Sequence, residues 1–416
     1  MHRTARLLSA ILVATCAAWE SSARAQPLGV ELHNTMMPAA GAMGGASIAR
    51  PQELLSALNG NPATLTNFDG SQFQFAGGWA YANFDLTQTG NVVVPGITPF
   101  TANSGAPGAA IGNIGLNRRT NLLGFDANFA FGLISNAGAA VDFRSVPESN
   151  GTSSNLLILE LMSGFGVQLT DRLSVGTNLA LGTAFFDGPF VGNSAMVSAY
   201  GLRNTVGVQY ELTDATSAGF YWQSKQNYHF EDAVSLQLFN GTFTPTFDVR
   251  MDLPSNLGWG IANRRLLDGN LLLAFDVVYK QWSNADLFRA VYRDQWALQF
   301  GSQYRINRLR LRAGYVYARS PLKDVTDVTI GGIAPPGGIP AVSYLQATLA
   351  APNQNRISAG IGLVDVLPGF DLDLFAGGMF SESAATGPFT SVRVDSYYLG
   401  GGATYRFGRN GVRASN

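Results

Sequence analysis

The chain has 416 residues, a net charge of −1 and only 13% charged residues, with 48 glycines, 26 phenylalanines and a positive mean hydropathy. Such a greasy composition is foreign to a water-soluble protein of this length, and the absence of basic excess gives no sign of a nucleic-acid partner. Beyond residue 25 no stretch approaches the roughly 20 uninterrupted apolar residues a spanning helix needs. The richest, Leu156 to Val167, is interrupted by Glu160, Ser163 and two glycines.

The N-terminus reads as a secretory signal. Arg3 and Arg6 precede an apolar stretch from Leu7 to Trp19, and Ala23-Arg24-Ala25 offers a small-residue cleavage site before Gln26. A lipid anchor on Cys16 is the alternative, disfavoured by Thr15 immediately before it. Cleavage after Ala25 removes the only cysteine, so residues 26–416 carry neither disulfide nor thiol chemistry.

Residues 26–70 do not alternate. Met36 to Ala46 is rich in small residues, and Gln52 to Leu58 is expected to form a short helix ending near Asn59-Gly60. From residue 71 the pattern changes to a period of two. Phe73, Phe75, Gly77, Trp79 and Tyr81 share one parity, with Gln72, Gln74 and Ala76 on the other. Leu271, Leu273, Phe275, Val277 and Tyr279 oppose Asp276 and Lys280. Leu309, Leu311 and Tyr315 oppose Arg310 and Arg312, and Leu372 and Leu374 oppose Asp371 and Asp373.

Alternation without spanning helices leaves a closed barrel as the structure that satisfies every backbone amide in lipid. Glu160, Arg203, Asp248, Arg250, Asp252 and Arg406 also lie opposite the apolar parity and are expected to point inward. The expected fold class is therefore all-β: a membrane-spanning antiparallel barrel of about fourteen strands over residues 71–407, with a plug (26–70) in its lumen and a tail, 408–416. Strands are expected to begin near residues 71, 118, 128, 155, 172, 195, 216, 246, 270, 296, 308, 355, 370 and 395. Connections after even strands are short, such as Thr170-Asp171-Arg172. Gly90 to Asn117, Phe230 to Pro245 and Arg319 to Gln354 are long, which places both termini in the periplasm. A lumen this wide cannot be filled by wall side chains, so residues 26–70 are needed to stop a leak.

Those residues carry a family resemblance. Gly41-Ala42-Met43-Gly44-Gly45-Ala46-Ser47-Ile48-Ala49, then Asn61-Pro62-Ala63, resemble the hatch of the FadL/TodX family of outer-membrane transporters of hydrophobic compounds. The likeness continues at Phe131-Gly132-Leu133 through Asn136-Ala137-Gly138, at Val278-Tyr279-Lys280-Gln281-Trp282 and at Arg312-Ala313-Gly314-Tyr315. Thr64 stands where the family usually has Gly, and a tail follows the aromatic-ended last strand.

The resemblance implies a hatch motif at Gly44, Gly45, Asn61, Pro62 and Ala63, and a kink in the third strand at Ser135, Asn136, Ala137 and Gly138 that opens the wall sideways. It also implies a ligand pocket reached by the start of the hatch, here Gln26 to Leu32, with Leu28, Val30 and Leu32 its apolar members. Independently, an interior glycine in an apolar run marks a bend. Inward Arg203, Arg310 and Arg312 are candidates for a carboxylate head group, with pairing to wall acids as the alternative. Val92, Val93, Val94, Ile97, Phe100, Ile339, Leu345 and Leu349 are candidate capture residues on the long loops, with loop packing as the competing reading.

The expected function is passive transport of long-chain fatty acids or aromatic hydrocarbons across the bacterial outer membrane: capture, a lumen pocket, hatch rearrangement, then lateral exit into lipid. Expected partners are the hydrophobic ligand, outer-membrane lipid and lipopolysaccharide, with no nucleic acid, for a monomeric barrel. No cofactor or metal is expected. An enzyme reading would rest on His229 beside Glu231 and Asp232, with Ser224 as nucleophile, and is disfavoured because a lone surface histidine is far commoner. The nearer alternative is a diffusion porin for small polar solutes. It is motivated by the inward charges, but pairs such as Asp248/Arg250 and Asp276/Lys280 are preferred as lumen salt-bridge networks that support the wall. An adhesin or phage receptor is compatible with the long loops.

Overall fold

The computed structural model describes residues 30–93, 96–187, 196–235, 241–332, 334–335 and 337–407. The signal region, Leu28, Val94 and the tail lie outside them. In chain order the strands are β1 (Ser71–Gln88), β2 (Phe100–Asn103), β3 (Ala109–Leu122), β4 (Phe125–Asp142), β5 (Ser153–Gln168) and β6 (Leu173–Asp187). There follow β7 (Val197–Thr213), β8 (Thr216–Gln223), β9 (Gln226–Val234), β10 (Phe247–Leu253), β11 (Ser255–Leu266) and β12 (Leu271–Gln281). The last are β13 (Gln295–Ile306), β14 (Leu309–Ala318), β15 (Asn355–Leu367), β16 (Phe370–Ala385) and β17 (Thr390–Phe407). Fourteen of them form the wall, and β17 closes it on β1. Closure leaves no sheet edge to meet lipid.

The alternation does what the sequence dictates. In β1 the side chains of Phe73, Phe75 and Trp79 stand outside while Gln74, Ala76 and Ala80 are buried toward the lumen. In β17 Tyr397, Leu399, Tyr405 and Phe407 stand outside. Short turns join β3 to β4, β5 to β6, β7 to β8, β11 to β12, β13 to β14 and β15 to β16, and most opposite connections are long. The two rims are called the turn end and the loop end below. Among the described residues no helix is long and apolar enough to cross a membrane.

Three strand positions differ from expectation. The second wall strand begins at Ala109, not 118, because Ala109 to Arg118 pair with β1. Small Ala109, Ala110 and Gly112 blunt its apolar alternation. The last strand starts at Thr390 rather than 395.

The segment expected as the eighth wall strand, near 246, is β10. It pairs only with β9 as a separate hairpin, and the wall strand is β11. Asp248 and Arg250 are therefore exposed on the hairpin rather than on the lumen wall, and Asp252 is buried beneath Lys225, 2.8 Å away. Asp276 and Lys280 do not pair with each other either. Both serve the hatch.

The hatch fills the turn-end half of the lumen. Two 3-10 turns, His33–Met36 and Pro62–Asn67, and two helices, Pro38–Ala42 and Leu54–Asn59, make it up. The second helix starts two residues later than expected and ends at Asn59. Met37, Leu54, Leu55, Leu58 and Leu65 pack against Ala76, Ala130 and Ile134 of the wall. Asp276 of β12 accepts the backbone N–H of Ser47 at 2.6 Å and of Ile48 at 2.9 Å, satisfying donors the loop would otherwise leave orphaned. Asn178 and Gln209 donate to the carbonyls of Leu58 and Ala49. Inward glycines let the hatch touch the wall backbone. A Cβ on Gly301 would lie 2.7 Å from Met43 O, and one on Gly166 2.8 Å from Pro62 O, closer than real Cβ contacts come.

Candidate functional site

The wall pairing is interrupted in two places: at the loop end β7 runs past the end of β8 at Gln223, where Val197 to Asn204 pair only with β6, and between β3 and β4 the pairing stops within the wall. β3 and β4 are in register from Leu122↔Phe125 to Ile114↔Leu133, and there the pairing stops although both strands continue. On its other side β4 keeps pairing with β5, but with a bulge between Ser135 and Ala137 that leaves Asn136 unpaired. One extra residue inverts the facing of those that follow and bends the strand. Alternation accordingly fails, and Ile134 through Val141 are all buried.

The seam is pinned at both ends of the break. At the turn-end side Ser135 N–H donates to Asn113 Oδ1 at 2.9 Å and Ser135 Oγ to Gly112 O. At the loop-end side Gly105 N–H donates to Asp142 O at 2.7 Å. Between them the edge of β4 is covered by the start of the hatch. Leu32 N–H donates to Asn136 O at 2.8 Å, and Gly138 N–H to Val30 O at 2.9 Å. Glu31 bridges Ala137. Asn136, Ala137 and Gly138 and the described part of the hatch's start thus form one antiparallel β-bridge inside the break.

This segment is held by charge. The Glu31 carboxylate, essentially without exposed surface, pairs with Arg203 of β7 at 2.8 Å and Lys280 of β12 at 3.0 Å. It also accepts from Asn256 Nδ2 at 2.9 Å. Burial alone would push this carboxyl up, but Lys280 and Arg203 outweigh it and hold it down at about 2. His33, next but one, has a left-handed backbone (φ 47°), a conformation disfavoured for a residue with a Cβ. Its Nε2 shares a hydrogen with Tyr221 OH at 2.8 Å. Burial, reinforced by Lys280, pushes this imidazole down to about 4, so it is neutral at pH 7.

The hatch motif residues act at its other end. Gly44 and Gly45 have φ of 69° and 91°. Asn61 caps the Pro62–Asn67 turn by accepting Ala63 N–H, and its Nδ2 donates to Val208 O at 3.0 Å. Where the family has Gly, Thr64 closes the turn by donating its hydroxyl to Asn61 O at 2.6 Å. Burial pushes the Glu53 carboxyl up to about 7, against the Ala40 N–H that it accepts at 2.8 Å.

Above the hatch at the loop end lies an apolar cavity with an empty volume of about 690 Å³, part of it open to solvent. The β9–β10 hairpin supplies Val249 and Met251, the barrel rim Leu156 and Phe186, and the long loops Phe288 and Leu349. Leu345 lines it as well. Val92 and Ile97 are buried elsewhere in the loop-end core, Phe100 packs against that core, and Val93 and Ile339 are exposed.

Of the candidate pocket residues, the structure brings together Val30, Leu32 and Arg203. Arg312 lies apart, bonded to Gln303 and Asp373, and Arg310 stands beside Arg312, Asp371 and Asp373. His229 is exposed, 3.4 Å from Asp248, while Ser224 is engaged with Asn204 N–H and Lys225 O. No Ser–His pair forms among the described residues. Sequence reasoning missed Glu31, in a segment without pattern, and the β9–β10 hairpin.

Barrel, hatch and side break together define a closed β-barrel plugged along its axis and interrupted in its wall. A family model described as "Outer membrane protein transport protein (OMPP1/FadL/TodX)" matches residues 193–331. Among solved structures, the Pseudomonas putida toluene transporter TodX matches at 18% identity and TM-score 0.64, covering 89% of this chain and 98% of that one. A Pseudomonas aeruginosa FadL homologue matches at 14% identity and TM-score 0.64, covering 93% and 100%. The Ralstonia pickettii toluene transporter TbuX matches at 16% identity and TM-score 0.61, covering 89% and 98%. No curated protein sequence matches the chain. The resemblance to the FadL/TodX family and the fourteen-stranded, plugged all-β fold are borne out.

Proposed function

We propose that the chain carries hydrophobic molecules passively across the bacterial outer membrane, with the loop end outside and both termini in the periplasm. The break between β3 and β4 carries this reading. An unsatisfied backbone group facing hydrocarbon costs several kcal/mol, on the order of a lost buried hydrogen bond or more, so a wall is not interrupted without a use. Here the interruption meets a segment that can be exchanged for another occupant.

A ligand entering the apolar cavity gains about 25 cal/mol for each Å² of apolar surface removed from water. Movement of Val30 to Leu32 away from Asn136 and Gly138 would then free the side passage into lipid. The hatch, hydrogen-bonded to the wall on several sides, remains seated. No nucleophile or energy-coupling step is required, and a hatch of this kind disfavours a water-filled porin.

Uptake of a labelled long-chain fatty acid and of labelled toluene by cells producing the protein, compared with vector controls, tests the reading. Uptake of at least one above control, with liposomes that do not swell in sugar, is expected. Fast sugar entry with neither hydrophobic probe taken up would establish the porin reading instead.

A further inference from the structure

On the outer face of β11 to β14 an aromatic band lies near the loop end. The ring centroids of Tyr279 and Trp296 are 4.5 Å apart, and Trp259 stacks on Trp296 at 6.3 Å. Such bands sit where hydrocarbon gives way to lipid head groups. Above this one the chain gathers four basic side chains. Arg319 continues the outward row of Tyr315 and Tyr317, its N–H donating to Trp296 O at 3.0 Å. Arg293 donates its N–H to Pro321 O at 2.7 Å and its Nε to Ser320 O at 3.2 Å. Lys323 donates its Nζ to the carbonyl of Arg289.

Arg289, Arg293 and Arg319 are exposed and Lys323 is half-buried. Asp286 takes Arg289 at 3.3 Å, and Asp294 is engaged by Tyr279 OH and Ser283 N–H. Among the described residues Arg293, Arg319 and Lys323 pair with no carboxylate. Beneath them the lipid-facing wall is hollowed. A groove with an empty volume of about 980 Å³, open to the outside, is lined by Ile261, Leu273, Phe275, Phe300 and Tyr315. Small Ser302 and Ala313 face each other there across β13 and β14. From Arg319 down to Ala313, a strand tilted by roughly 40° descends about 15 Å, half of a ~30 Å hydrocarbon core. The groove therefore lies one leaflet deep below the charges.

We propose that this face docks the phosphorylated, many-chained glycolipid of the outer leaflet, lipopolysaccharide. Its sugar phosphates meet Arg293, Arg319 and Lys323, and one acyl chain fills the groove below Tyr315. Charge complementarity selects this occupant, because a zwitterionic phospholipid brings no net negative charge to the basic cluster. On β1 and β17 the outward residues near the loop end are instead Asp85 and Asp395, hydrogen-bonded to Asn103 and Asn83, so the site belongs to one flank of the barrel. The inference rests on the transport reading only for the orientation that sets the loop end in the outer leaflet.

Native mass spectrometry of the detergent-solubilised full chain, titrated with diphosphoryl lipid A, monophosphoryl lipid A and phosphatidylglycerol, tests it. The wild type should bind diphosphoryl lipid A about tenfold more tightly than either of the others, the scale of one charge-assisted contact. The triple variant R293Q/R319Q/K323Q should lose that preference, whereas R265Q at the turn end should keep it. A313W, which fills the groove, should weaken both forms of lipid A alike and leave their ratio unchanged. Equal binding of the three lipids by wild type, a preference that survives the triple variant, an equal loss in R265Q, or unchanged binding by A313W would each overturn the proposal. Labelling of Asn284→Cys by an impermeant maleimide in intact cells reads the orientation separately. Its absence, with the lipid A preference intact, would overturn the orientation and leave the binding chemistry standing.

Discussion

Two seams of the same barrel behave in opposite ways. Where β17 meets β1, all eighteen residues of β1 are paired without a slip, from Ser71↔Phe407 to Gln88↔Thr390. Where β3 meets β4, pairing covers the turn-end part and then stops beside Asn136, and a piece of the hatch stands in for the missing neighbour. Both seams face the same lipid. The difference teaches that the break is built: an extra residue, two anchoring side chains and a charged clamp all converge on one gap.

The clamp is where the contrast breaks most easily. Glu31→Ala leaves Arg203 and Lys280 buried without their acid, and removing one partner of such a cluster costs about 3–5 kcal/mol. The urea midpoint of the folded barrel should fall, and the N-terminal segment should become sensitive to protease. A midpoint equal to wild type would mean that the clamp does not hold the segment.

Acid should loosen the same place. Below about pH 6.5 the free imidazole of His33 binds a proton that the docked one refuses until about pH 4, so docking weakens as pH falls through that window. The loss amounts to about 3–4 kcal/mol for a shift of this size. Glu31 adds its own loss only below its ordinary value of 4.5, down toward 2. Glu53 works in the opposite sense, stabilising below 4.5 and losing that contribution as pH rises through about 7. Protease protection of the hatch in His33→Gln should therefore decline less than wild type between pH 6.5 and 4. Parallel curves would remove His33 from the account.

At the seated end of the hatch, Gly301→Val should push Met43 off β13, costing about 1–3 kcal/mol as an overpacked contact. Sugar leak into liposomes should rise while the closing seam stays intact. A smaller effect is expected in the outer cavity, where Leu349→Asp should weaken half-saturation for a hydrophobic probe by about tenfold and spare the maximal rate. An unchanged half-saturation would place capture elsewhere.

Most of the wall was legible in the sequence because lipid imposes a period of two that no soluble helix imitates. The limits of that signal are equally physical. Tyr228, Phe230, Val249 and Met251 alternate as wall residues do, yet they bury their apolar face among loops. Alternation reports a half-buried strand and not which surface buries it. Glu31 was invisible for another reason. A charge becomes informative only through its partners, and these come from strands more than 150 residues away. The Asn136 bulge was readable as a glycine-marked bend, but the segment that covers it was not.

The central claim is that ligands leave through the break rather than along the barrel axis. Deleting Asn136 removes the bulge residue and should let β4 resume its alternation and pair with β3 beyond Ile114. Uptake of a labelled hydrophobic probe by cells carrying this deletion, with the barrel verified as folded in the outer membrane, is the direct measurement. The account predicts a fall to the vector level; uptake equal to wild type through the closed seam would contradict it.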